Sequence, residues 1–352
     1  MEKANSISVT LFLPGLMHYR DNVFRELVRE LPPQQQRLPA LELIVARCEN
    51  VIQQARDFHG ALFELFHLPV PAGNDIPVGA LSHYLETGEN SGCWYMRADP
   101  VYLQPNRDHL LLLGNEMIDI GANEARQLVD DINTTYQDTA WRMKMLSARH
   151  WVLELDQAPL LRTTPLNEVT GKNISSYMPQ GEDATTWHAL MNELQMFMYS
   201  HPLNRHREMQ GQLAMNSVWL WGSGKLPEVT RNDHRDYVQC WSSHVTVQAL
   251  AKLCGIPRTD LPANADSWLK YAITPGHHLL VIEDLNMPVA MLDPYDWWQS
   301  LCTVEHQWLQ PLLDALRSGK LARLVLVSDT GERFTLTASA SKRWWKRIKA
   351  LV

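Results

Sequence analysis

A short apolar run, Val218-Trp219-Leu220-Trp221, closes in Gly222-Ser223-Gly224 and then Pro227. β-branched and aromatic residues followed by such punctuation predict a buried strand delivering the chain into a tight loop. The polar stretch before it, from His201 to Asn216, reads as loop, because Pro202 ends any helix arriving from the left and Gly211 breaks the polar segment around it. Other β-rich runs end in the same manner. Ser8–Leu13 leads to Pro14-Gly15, His278–Ile282 to Glu283-Asp284, and Leu321–Val327 to Ser328-Asp329-Thr330-Gly331. The last is apolar enough for the centre of a parallel sheet. In α/β proteins, loops at such strand ends carry the sites.

Between the runs lie helix-prone segments. Residues 19–66 have this character, broken by Pro32-Pro33 and Pro39, with apolar residues at helical spacing from Leu41 to Leu65. Helices are also expected over Asn123–Tyr136, Asp183–Tyr199, Val245–Leu253 and Trp297–Leu316, the last ended by Gly319, with part of another at Trp268–Ile273. Trp94–Gly114 reads as two strands joined by the polar turn Gln104–Arg107, the second opening at Asp108; Trp151–Leu155 is a further strand, and Leu166–Met178 has room for more. A length of 352 residues suits two domains, or one large α/β domain with an insertion.

Composition narrows the function classes. With 45% apolar and 20% charged residues the chain has the balance of an ordinary globular protein. A net charge of -7 gives no global reason to expect nucleic acid as a partner. The five cysteines are scattered and form no CxxC, which argues against a disulfide frame or a zinc site and fits a reducing cytoplasm. No apolar run approaches the roughly 18 residues of a membrane span, so a cytoplasmic protein without a transmembrane segment is expected. Thirteen tryptophans are the oddity. They suit core packing, with a protein-partner surface as the sharper alternative. The basic, aromatic stretch Ser341–Lys349 reads as a solvated terminal element, or as a surface for an acidic partner or membrane.

His201, Pro202, Asn204, Arg207, Gly211, Asn216, Gly222, Gly224 and Pro227 keep the spacing of a pattern in archaeal-type cofactor-independent phosphoglycerate mutases, and the chain resembles that family of the alkaline phosphatase superfamily. Met215 splits the family's Ala-Asn pair, and Trp221 stands where the family has Arg. A second resemblance is to RpfE-type regulatory proteins, through Arg97-Ala-Asp99-Pro100, Asn192–Met196 and the Trp-rich turn. The mutase resemblance implies an α/β fold with an alkaline-phosphatase-like, mostly parallel sheet flanked by helices. It also implies a discontinuous core of residues 1–90 and 191–352 interrupted by an inserted α+β domain at 91–190.

The same resemblance implies a two-metal site, manganese or zinc, and a serine nucleophile. The residues depart from both. Pro14 stands at the place of the first metal-binding Asp, and alignment on Asp75 puts Pro77 at the serine. Using Ser82-His83 instead requires an insertion. After Asp284 the family's Gly-His is missing, and Thr330 replaces the His of Ser-Asp-His-Gly beside Asp329 and Gly331. A hydroxyl is a poor substitute for imidazole on such a metal. His277 and His278 are adjacent, face opposite sides of a strand and do not ligate jointly. No cofactor is therefore expected, and no residue is assigned as catalytic. The expected function is a regulatory or ligand-binding relative for a small phosphorylated or acidic ligand, with Asn204, Arg207, Asn216, Gly222, Ser223 and Gly224 as the binding set. The alternatives are an active metal-dependent mutase or phosphatase rebuilt from Asp75, Asp284, Asp293, Asp296 and Asp329, and a Trp-rich interaction module.

Overall fold

The computed structural model describes residues 6–52, 57–107, 109–229, 236–291 and 293–351; Asp108, read as the start of a strand, and part of the helical run at Leu41–Leu65 lie outside them. Two compact units emerge. One is Met1–Pro69 with Val229–Val352, the other Val70–Glu228. In chain order the first unit supplies β1 (Ile7–Phe12) and β2 (Glu49–Ile52). The second supplies β3 (Trp94–Asn106), β4 (His109–Leu113), β5 (Trp141–Met145), β6 (Trp151–Leu155), β7 (Leu161–Arg162), β8 (Gln180–Gly181) and β9 (Ser217–Gly224). The first unit then resumes with β10 (Gln239–Trp241), β11 (Arg258–Thr259), β12 (Gly276–Val281), β13 (Leu321–Val327) and β14 (Glu332–Thr337).

The discontinuous unit is α/β, with a seven-stranded sheet in the order β11-β10-β12-β1-β13-β14-β2. From β11 to β13 all neighbours are parallel, and β14 and β2 complete the sheet antiparallel. The mostly parallel sheet flanked by helices is the fold expected from the sequence. Strand alternation sorts the faces. Val9 and Leu11 of β1, Leu324 and Leu326 of β13, and Phe334 and Leu336 of β14 enter one core with Trp297, Trp298 and Trp308. The helix expected over Trp297–Leu316 runs from Pro294 to Arg317 with a π turn at Glu305–Leu309. Pro311 lacks the N–H needed for regular bonding there, and a π turn is a known way to absorb such a break. Buried Glu305, on this turn, accepts the N–H groups of Ala40 (2.6 Å) and Leu41 (3.0 Å), anchoring the start of the helix Pro39–Arg47.

The continuous unit is α+β and is organised on β3, which pairs antiparallel with β4, β6 and β9. Its separate core holds Met96, Ala98, Trp151, Leu153, Trp219 and Leu220, with Leu194 and Met198 from the helix Ala184–Ser200. The unit begins and ends outside the expected 91–190. The helix Val78–Thr87 packs so closely on β3 that a Cβ on Gly79 would lie 2.8 Å from Met96 backbone atoms. β9 joins the same sheet by pairing with β3.

Two local expectations are corrected. Pro202 does not leave a loop behind it; it opens the helix Pro202–Met209, with His201 as N-cap accepting the Leu203 N–H. Leu166–Met178 contains no strand but a short helix at Leu166–Val169 and a 3₁₀ turn at Ile174–Ser176.

Candidate functional site

The parallel strands of the discontinuous unit deliver their carboxyl ends to one edge, where Pro14-Gly15, Ser242–His244, Glu283-Asp284 and Ser328–Gly331 lie. This is the edge at which an open α/β sheet places its ligands. Gly15 has φ of 76°, and a Cβ there would press on Val289 and Leu285 at 3.1 and 3.2 Å. Its N–H donates to Asp329 Oδ1 at 3.1 Å, and its carbonyl accepts the Trp297 indole N–H at 3.0 Å. The Asp329 carboxylate is thus held against the β1 loop, and burial pushes its pKa up against the pull of that hydrogen bond. Thr330 donates its hydroxyl to Glu332 Oε2 at 2.6 Å, and Ser328 donates to the same oxygen at 3.1 Å. Arg20 pairs with the other Glu332 oxygen. Burial opposes ionisation of Glu332, but the Thr330 and Ser328 hydroxyls and Arg20 hold it below the ordinary range.

Beside this network a cavity of about 400 Å³ is lined by Glu64, His67, Ser328, Asp329 and Arg333, among others. His67 adopts φ of 54° and hydrogen-bonds Asp236 at 2.7 Å. Along the same edge His244 caps the helix Val245–Leu253. Its Nδ1 accepts the Thr246 N–H at 3.2 Å, which leaves Nε2 to carry the proton and face Glu283 Oε2 at 3.7 Å. The ring packs on Phe58, and the buried His59 ring lies 6.3 Å away. Burial, with a smaller push from neighbouring Asp284, raises Glu283 to about 7. Burial also raises Asp284.

The acidic residues singled out in the sequence do not assemble into a metal centre. Asp293 caps the helix at Pro294 by accepting the Asp296 N–H at 2.9 Å, while Asp284 and Asp296 line an open depression of about 350 Å³. Asp75 belongs to the other unit, where it accepts from the Thr163 N–H at 2.9 Å, the Thr163 hydroxyl and the Ser223 N–H at 3.3 Å. Among the described residues no group of three or more His, Cys, Asp or Glu side chains is placed to hold a metal ion. Among the described residues these side chains offer no ligand set for a two-metal centre. The strand-end carboxylate is bound by a backbone amide, and the neighbouring hydroxyl is committed to Glu332.

The expected binding set lies in the continuous unit, and the structure gives each member a protein partner. Asn204 donates to the carbonyls of Met198 and Met215 and accepts the Met215 N–H, all at 2.7–2.8 Å. Arg207 is buried and bonds the Leu213 carbonyl, the Asp119 carbonyl and Glu124, the last at 2.6 Å. Asn216 bridges to the N–H and carbonyl of Leu103. Gly222, at φ of 65°, donates its N–H to Thr163 Oγ1 at 2.9 Å. A Cβ on Gly224 would meet Pro77 at 2.5 Å. Trp221, the departure from the mutase pattern, donates its indole N–H to Asp99 Oδ2 at 2.7 Å and stacks under Arg97, which pairs with Asp99 and donates to Ser82 at 2.9 Å.

His59, Glu64, His67, His244, Glu283, Glu332 and Arg333 escaped selection as site residues. Glu283 was visible as the first polar residue after a strand. Glu332 and Arg333 directly follow the Ser328–Gly331 loop, and the rest sit where no spacing rule points because they come from distant parts of the chain.

Comparison with known proteins supports the class suggested by the fold. The model of the 2,3-bisphosphoglycerate-independent phosphoglycerate mutase family matches residues 77–204, all within the continuous unit. The chain is phosphoglycerate-mutase-like there. A probable 2,3-bisphosphoglycerate-independent phosphoglycerate mutase of Geobacter sulfurreducens is 28% identical over 154 residues, 44% of this chain and 38% of that protein. The 2,3-bisphosphoglycerate-independent phosphoglycerate mutase of Methanothrix thermoacetophila is 37% identical over 68 residues, 19% of this chain and 17% of the relative. These alignments span well under half the length of the relatives. Among solved structures, the PH0037 protein from Pyrococcus horikoshii has the same fold, with a TM-score of 0.59 at 13% identity over 95% of this chain and 87% of that one.

Proposed function

We propose that this protein is a phosphoglycerate-mutase-like regulatory or ligand-binding protein that does not perform two-metal phosphoryl transfer. The observation that carries the proposal is the hydrogen bond from the Gly15 N–H to Asp329, beside Pro14. Two-metal catalysis needs strand-end carboxylates free to clamp both ions. Here one position offers no ligand, and one oxygen of the other carboxylate already accepts a backbone N–H. The cavity at the end of β13 is the binding site. Arg333 and His67 supply cationic or donor groups and Ser328 a hydroxyl for a small phosphorylated or acidic ligand. The resemblance to RpfE-type regulatory proteins supports the regulatory reading. Its Arg97-Ala-Asp99-Pro100 segment serves the buried network around Trp221.

The test uses purified full-length protein incubated with manganese and zinc, then measured for bound metal, for turnover of 3-phosphoglycerate, and for thermal shift by that compound without metal. The expected result is no stoichiometric metal, no turnover, and a stabilising shift that Arg333→Ala abolishes. Two tightly bound equivalents with turnover would overturn the non-catalytic reading. A shift unaffected by Arg333→Ala, or none at all, would overturn the assignment of the cavity.

A further inference from the structure

Six tryptophans, Trp151, Trp219, Trp268, Trp297, Trp298 and Trp308, are fully buried. Trp344 and Trp345 are instead 80% and 64% exposed, packed edge-to-face with ring centroids 6.1 Å apart. They follow the short helix Ala338–Ser341 on an irregular segment held to the unit by its cations. Arg343 lies 3.7 Å from Glu49, and Lys346 donates to the Cys48 carbonyl at 3.3 Å. Those contacts bring the segment to the start of edge strand β2. Lys342, Arg343, Lys346, Arg347 and Lys349 accompany the two indoles with no acidic residue among them, in a chain whose net charge is -7.

We infer that this patch, Trp344 and Trp345 with the surrounding Lys and Arg, is a peripheral docking surface for an anionic lipid bilayer. Indole rings favour the headgroup boundary, where the ring is sheltered and the N–H stays wet. Cations beside them gain from the negative potential of anionic headgroups, and long Lys and Arg stems let the charges reach it. A bilayer also needs no shaped pocket to receive two adjacent side chains. Among the described residues no helix is long and apolar enough to cross a membrane, so the association is with the surface.

The experiment is co-sedimentation of the full-length protein with vesicles of phosphatidylcholine, with and without phosphatidylglycerol, over a range of salt. The surface predicts pelleting with the anionic vesicles alone, release by salt, and about tenfold weaker partitioning for Trp344→Ala/Trp345→Ala or Arg347→Glu/Lys349→Glu. These exposed substitutions leave circular dichroism and melting unchanged. Brominated lipid should quench part of the wild-type tryptophan emission but none of it in Trp344→Phe/Trp345→Phe. Failure to prefer anionic vesicles, or undiminished binding by either double variant, would overturn the inference. Retention on an acidic polypeptide without vesicle binding would also overturn it, assigning the patch to an acidic protein.

Discussion

Glu283 and His277 give the discontinuous unit opposite responses to pH. Glu283 titrates near 7 in the fold and near the ordinary carboxylate value when unfolded. The folded state therefore holds the extra proton, and stability falls as pH rises from about 4.5 to 7. A third of its side chain still meets solvent, which screens the penalty, so Glu283→Gln should add about 1 kcal/mol above pH 7 and little at pH 5. His277 titrates near 4, because burial and then Arg323 and Arg333 disfavour its charge. Here the unfolded state holds the extra proton, so stability is complete above about 6.5 and is lost as pH falls toward 4. His277→Gln, which keeps a polar group near the Thr10 hydroxyl, should flatten that acid limb in denaturant titrations across pH. At Arg207 the expectation is loss of fold. Arg207→Ala strands the partners of a buried, fully engaged guanidinium and should cost about 3 kcal/mol. A residue kept free for a ligand would cost much less in the same thermal melt. That Pro14 and Thr330 carry neither a carboxylate nor an imidazole is legible in the sequence whatever surrounds them. The sequence could not make the role of Arg207 legible, because its partners come from residues 119, 124 and 213.

Periodicity located the long helices and the strands β1, β9, β12 and β13, since each buries a continuous face. It failed at Pro202 for a physical reason. The residue that cannot continue one helix is well suited to start another, where its missing N–H would have had no partner. His201 then serves both as the end of the helix Ala184–Ser200 and as the cap of Pro202–Met209. β2 was hidden because it is a short exposed edge strand whose pairing with β14 leaves no apolar pattern. The close seating of the helix Val78–Thr87 was equally hidden, and it makes a sharp prediction. Alanine normally improves a helix over glycine by about 1 kcal/mol. At position 79 the added Cβ would meet β3 backbone at 2.8 Å, which cannot yield as a flexible side chain would. Gly79→Ala should therefore destabilise by about 2 kcal/mol, read from urea midpoints, with the cost falling on the continuous unit.

The mutase-family model matches only residues 77–204, inside the continuous unit, while Pro14, Asp329 and Thr330 lie in the other. The family-model match and the chemistry of the strand ends thus lie in different units of the chain. The continuous unit, Val70–Glu228, is wider on both sides than the 91–190 insertion implied by the resemblance. Asp75 ties to Thr163 and Ser223, Gly224 abuts Pro77, and β9 completes the pairing of β3, so residues 70–228 close on themselves. This unit is one continuous segment with its own core and its own sheet. A segment of that kind should fold alone. Expressed by itself, Val70–Glu228 should be monomeric, give a cooperative thermal transition, and protect the amides of β3, β6 and β9 against hydrogen exchange. Within it Gly79→Ala should lower the midpoint as in the full chain, whereas Glu283→Gln in the full chain should leave the exchange protection of this segment unchanged. A noncooperative melt, or loss of β9 protection once residues 1–69 and 229–352 are removed, would mean that β9 owes its place to the rest of the chain rather than to β3.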